Sequence, residues 1–137
     1  MPITATATPR TSAPQTVILA AAADTGLILL FAAIGRDAHQ RGDIITGVLS
    51  TAWPFLAGAA VSWLALRLWR GPLALWPAGV AVWIGTVALG MLLRAFTGQV
   101  VVLPFVIVAL LAVGAFLLGW RLLALAVQRL RTRRRRA

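Results

Sequence analysis

The chain has 137 residues, enough for one domain, and is 61% hydrophobic and 12% charged, with a mean hydropathy of +0.91. A soluble domain of that size needs more polar surface, so the composition points to lipid as the surrounding solvent. The net charge of +10 is all arginine against three aspartates, and the absence of cysteine excludes disulfides, thiol chemistry and Cys-based metal sites.

Residues 1–15 are rich in Thr, Ala and Pro and have no apolar period, which predicts a disordered tail. The pattern is not that of a typical signal peptide. Arg10 is followed by the polar Thr11 and Ser12, then Pro14 and Gln15, and the apolar run beyond is long enough to span a bilayer.

A first helix is predicted over 16–34, near the roughly 20 residues a bilayer requires. Its one charge is Asp24. A short polar loop with glycines follows, carrying Arg36, Asp37, His39, Arg41 and Asp43. Asp43 is placed to cap the next helix, because its carboxylate can accept from the free amides of the first turn.

The second helix is predicted over 44–69. Along it Gly47, Thr51, Pro54, Gly58, Ser62 and Ala65 recur at three- and four-residue spacings. Such a stripe of small residues lets two backbones approach in lipid. Pro54 lacks an N–H and frees the carbonyl of Ser50, and the hydroxyls of Ser50 and Thr51 are the local groups available to compensate.

Arg67, Arg70, Gly71 and Pro72 form a tight basic turn. The third helix is predicted over 77–96, with Pro77 in its first turn and two further pairs of small residues, Ala81 with Gly85 and Thr86 with Gly90. After the turn at Thr97, Gly98 and Gln99, a fourth helix is predicted over 100–125, apolar until Arg121, which is expected to snorkel to the interface. The fold class is therefore all-α: a four-helix transmembrane bundle over 16–127 with a disordered N-terminal tail and a basic C-terminal tail over 128–137.

Arginine counts set the orientation. Four spans put both termini on one side. If that side is the cytoplasm, Arg10, Arg67, Arg70 and the C-terminal cluster lie inside, and only Arg36, Arg41 and Arg94 lie outside. This predicts a multi-pass protein of the cell membrane with cytoplasmic termini. Trp69, Trp76 and Trp120 are then expected at the inner interface. The cluster Arg129, Arg131, Arg133, Arg134, Arg135 and Arg136 directly follows a span, so its predicted partner is anionic lipid rather than nucleic acid.

The stretch Leu49-Ser50-Thr51-Ala52-Trp53-Pro54-Phe55-Leu56-Ala57-Gly58 resembles the signature of a small integral-membrane family, domain of unknown function 3054. So do Phe31-Ala32-Ala33-Ile34-Gly35-Arg36 with His39, and Gly90-Met91-Leu92-Leu93-Arg94-Ala95-Phe96-Thr97-Gly98. The resemblance extends from about Asp24 to Trp120. It implies a multi-span membrane protein with no established activity, and it carries over no functional residues.

Three groups are candidates for chemistry. A mid-membrane carboxylate costs roughly 2.5–3.5 kcal/mol to insert, so Asp24 is expected to face protein or trapped water. Taking depth from the inner ends of the predicted helices, Asp24 lies about 12 Å in, Ser62 about 10 Å and Thr86 about 13 Å. This predicts one polar layer of Asp24, Ser62 and Thr86, serving either as an ion or proton site or as a pin between helices. An outer polar cluster of Arg36, Asp37, His39, Asp43 and Arg94 is the second candidate. There Arg94 reads as an anchor or loop clamp paired with Asp37 or Asp43, or as an anion site. His39 reads as an exposed loop histidine, or as a pH sensor. The third is the C-terminal arginine cluster.

One imidazole and two aspartates are too sparse for a metal site, and no nucleophile–base pair, phosphate loop or dinucleotide fingerprint is present. No cofactor is implied, and the inventory argues against an enzyme. The reading favoured is a structural or accessory membrane component acting through helix contacts, as a homo-oligomer or within a larger complex. The alternative is a minimal transporter or channel built on the Asp24 layer.

Overall fold

The structure, a computed structural model, describes residues 13–37 and 43–137. Among these the chain forms four long helices and no strand. α1 runs over Pro14–Asp37, α2 over Ile44–Ala65, α3 over Val80–Phe96 and α4 over Leu103–Arg136. Each is long and apolar enough to cross a membrane, α3 together with the turn that leads into it.

The helix ends follow from local chemistry. α1 starts on Pro14, whose fixed φ suits a first helical residue and whose missing N–H would be unpaired there anyway. The Asp43 carboxylate caps α2, accepting from the Ile45 amide at 3.3 Å and from the Thr46 hydroxyl at 2.8 Å. α2 stops at Ala65, short of the predicted Trp69, because Arg67 turns into the left-handed region at φ 50°. A single tight turn over Leu68–Arg70 then leads to Gly71. Trp76 is extended, as the residue before a proline is driven to be, so regular α3 begins three residues after Pro77 at Val80. α4 begins at Leu103, with Pro104 in its first turn, and runs on through the basic segment to Arg136. Arginine is a good helix former, and cations in the last turn oppose the negative end of the helix dipole. The predicted C-terminal tail is thus the end of a helix.

The core lies where the four helices meet. Ile28 and Phe31 of α1, Phe55 and Ala59 of α2, Val82 and Val87 of α3, and Val113 and Leu117 of α4 are all buried. Outward positions such as Leu19, Leu64, Leu111 and Leu123 are about 70% exposed. An apolar surface of that extent belongs in lipid.

α2 and α3 are in closest contact, and the small-residue stripe lies between them at its centre. Pro54, Gly58 and Ser62 are buried. A Cβ on Gly58 would stand 2.9 Å from the Thr86 carbonyl oxygen, and one on Gly85 would collide with the Ser62 hydroxyl. The ends of the stripe do not share this contact: Ala65 is exposed, and Gly47 and Thr51 are half-buried. On the other side of α3, the Trp83 indole donates to the Leu110 carbonyl of α4 at 2.9 Å and lies where a side chain on Gly114 would have to be.

Candidate functional site

Asp24 projects from the middle of α1 and is 2% exposed. A carboxylate buried without partners is costly, so its partners decide what it is. Four hydrogen bonds reach it. Arg121 of α4 grips it with two nearly parallel bonds of 2.8 Å, Nη1 to Oδ1 and Nη2 to Oδ2. The Trp120 indole donates to Oδ1 at 2.8 Å, and the Trp63 indole of α2 donates to Oδ2 at 3.0 Å. Each oxygen thus accepts two bonds, which uses the carboxylate's full complement of about four acceptor directions.

The guanidinium is held as firmly. Arg121 is fully buried. Its Nε donates to the Pro72 carbonyl at 2.9 Å, and Nη1 donates again to the Leu117 carbonyl at 2.9 Å. The guanidinium carbon also sits 4.5 Å from the centre of the Trp120 ring, a cation–π contact. Gly79 borders the Arg121 stem: a Cβ there would come within 3.1 Å of Arg121 Cδ. A planar fork matched to a carboxylate is the geometry that arginine, unlike lysine, can offer. The pair is neutral as a whole, and its remaining polar directions are nearly all satisfied, which is the condition for a buried ion pair to persist.

Two sequence expectations are corrected by this geometry. Arg121 does not snorkel. It is fully buried, and its guanidinium is spent on the Asp24 carboxylate rather than carried to a surface. Trp120 is likewise half-buried against the carboxylate rather than an interfacial anchor, a role that Trp76, 76% exposed, remains free to take.

The predicted layer is only partly assembled. Ser62 and Thr86 are buried, but neither hydrogen-bonds Asp24. The Ser62 hydroxyl donates to the Gly58 carbonyl at 2.9 Å, and Thr86 Oγ1 has no hydrogen-bond partner. The reason is angular. Successive helical residues point about 100° apart, so Ser62 faces α3 while Trp63, one position on, faces α1. Depth arithmetic carries no azimuth. The missed partners did leave a signal: Arg121 is a cation inside an apolar run, and an interior acid requires one.

The second candidate cluster is different in kind from the one expected. Arg94 donates from Nη1 to Gln99 Oε1 at 2.8 Å and from Nη2 to the Val100 carbonyl at 3.1 Å. Its guanidinium carbon lies 4.5 Å from the Phe105 ring centre. It clamps the α3–α4 turn, and no carboxylate pairs with it among the described residues. Asp43 instead caps α2. Arg36 and Asp37 close α1, but their side chains and all of His39 lie outside the described residues.

Gln99 has a second task. Its Nε2 donates at 3.3 Å to the Ser50 carbonyl, the group that Pro54 leaves without an intrahelical donor. The Ser50 hydroxyl does not compensate, since it donates to the Gly47 carbonyl at 3.0 Å. A chain of contacts therefore runs from Arg94 through Gln99 to the proline break of α2. The arginines at 129, 131, 133, 134, 135 and 136 are exposed on the last turns of α4.

A bundle of four membrane-length helices fastened by a buried Asp–Arg pair defines a multi-pass membrane protein. Its sequence matches the family model described as "Protein of unknown function (DUF3054)" over residues 21–124. The chain belongs to that family, and the match includes Asp24, Trp63, Arg94, Gln99, Trp120 and Arg121. Comparison with curated proteins and with solved structures gave no match.

Proposed function

We propose that this protein is a structural or accessory component of the cell membrane, without enzymatic activity, that acts through helix–helix contacts as a homo-oligomer or within a larger complex. One observation carries the reading. All acceptor directions of the Asp24 carboxylate are taken by Trp63, Trp120 and Arg121, and its charge is neutralised. A proton or cation carrier needs a carboxylate that can exchange partners, and this one is bolted on both oxygens.

The orientation proposed keeps both termini in the cytoplasm, on the arginine asymmetry, with the C-terminal cluster against anionic lipid. The test is flux. Vesicles containing the purified protein should leak protons and monovalent cations no faster than empty ones, and cross-linking in the native membrane should give a discrete species heavier than the monomer. A flux that Asp24→Asn abolishes while the protein stays folded would reverse the reading in favour of a minimal transporter.

A further inference from the structure

At the end of the bundle where Arg94 lies there is a pocket of about 500 Å³. That is within the range of small-molecule sites, roughly 300–1,000 Å³. Phe31 of α1, Ser50 and Thr51 of α2, Arg94 and Gln99 at the α3–α4 turn and Phe105 of α4 all contribute to its wall. We propose that this pocket binds an oxyanion, a phosphate or carboxylate group, on the Arg94 guanidinium.

The argument begins with charge. Arg94 is half-buried, and among the described residues no carboxylate neutralises it. The other embedded arginine of the bundle, Arg121, has an aspartate gripped in its fork. In a membrane protein an ionisable group held against apolar surface marks a site.

Donor inventory agrees. A guanidinium has five N–H groups. Arg94 directs one from Nη1 to Gln99 and one from Nη2 to the Val100 carbonyl, which leaves the second N–H of each Nη uncommitted. The two bonds and the Phe105 ring fix the plane of the fork, so the remaining donors are preorganised rather than flexible. The Thr51 hydroxyl, on the α2 wall, makes no hydrogen bond among the described residues and can donate to the same anion. Phe31 and Phe105, 6.4 Å apart, supply apolar surface beside the cation. Fixed donors next to aromatic walls suit the head of an amphiphile, with its phosphate on Arg94 and its chains leaving along the bundle. The same donors would also take a free phosphate.

Thermal unfolding in a non-ionic detergent separates these cases, because a ligand that binds the folded state raises its midpoint. The probes are phosphatidylglycerol, phosphatidylcholine with the same chains, and inorganic phosphate. The proteins are the wild type, Arg94→Gln, Ser50→Phe, and a tail variant with glutamine at positions 133, 134, 135 and 136. Ser50 is an exposed wall residue, so phenylalanine there occludes the pocket without removing core packing or any Arg94 contact.

The expected result is a rise with phosphatidylglycerol but not phosphatidylcholine in the wild type and the tail variant. Ser50→Phe should lose that rise, and Arg94→Gln should need at least tenfold more lipid if it folds. A rise with inorganic phosphate under the same mutational control supports the site as one for a free anion. The proposal falls if the wild type responds to no anionic probe, if Ser50→Phe responds like the wild type, or if the response disappears with the tail arginines alone.

Discussion

Asp24 and Arg121 stand 97 positions apart in the chain and 2.8 Å apart in the bundle. The contact joins α1 to α4, the first helix to the last. It makes the bundle's closure depend on a pair of charges that neither helix could carry into lipid alone.

That dependence is directly measurable. Asp24→Leu or Arg121→Leu alone leaves the other charge buried, which costs about 3–5 kcal/mol. Asp24→Asn should also destabilise, since the amide satisfies geometry but not the guanidinium charge. Replacing both residues, Asp24→Leu with Arg121→Met, should recover most of the loss. Thermal unfolding in detergent reads the comparison. A double variant no more stable than either single would show that the pair is not a closed unit.

The α2–α3 seam offers a steric test. Gly58→Leu must push against the Thr86 carbonyl and Leu89, and overpacking of this kind costs about 1–3 kcal/mol. Gly26 of α1 is the control, since a Cβ there meets nothing within 4 Å. Gly26→Ala should be neutral or stabilising by up to about 1 kcal/mol. Equal midpoints for Gly58→Leu and the wild type would remove the seam from the account.

Gln99 and Pro54 should be energetically coupled. Gln99→Leu leaves the Ser50 carbonyl without its donor, at about 1–3 kcal/mol if the site stays dry. Pro54→Ala restores the missing amide, which can bond the Ser50 carbonyl within α2. The cost of Gln99→Leu should therefore shrink in the Pro54→Ala background. A double-mutant cycle that closes with no interaction energy would break the link.

Orientation has its own check. A reporter active only in the cytoplasm should give signal when fused after Ala137 and none when inserted between Asp37 and Asp43. The reverse pair of results would invert the topology.

How much of this was written in the sequence depends on the kind of signal. Four apolar runs of membrane length are a composition signal, and they appear as four helices. The small-residue stripe is a periodicity signal, and its buried centre at Gly58 and Ser62 lies on the α3 seam. The Asp43 cap is a local signal of one residue and one turn. The Asp24 site needed more. Its partners Trp63, Trp120 and Arg121 depend on which way each helix is rotated. Rotation is set by packing among all four helices, not by any one of them. The end of α4 differs for a related reason: the predicted helix stops at residue 125, near the end of the apolar run, yet arginine continues a helix well and α4 runs to Arg136.

The length of α4 has a mechanical meaning. At 34 residues it is about 51 Å long, against a hydrocarbon thickness of about 30 Å. Its last turns extend the bundle's own framework, and Arg121 ties that framework to α1. Arg129, Arg133 and Arg136 recur at helical spacing along one side of the extension. The arginines are thus carried on a stiff spar whose azimuth is fixed by a buried ion pair. A partner or lipid surface that meets them meets charges at a set height and bearing, and a twist imposed on the spar is delivered to Asp24.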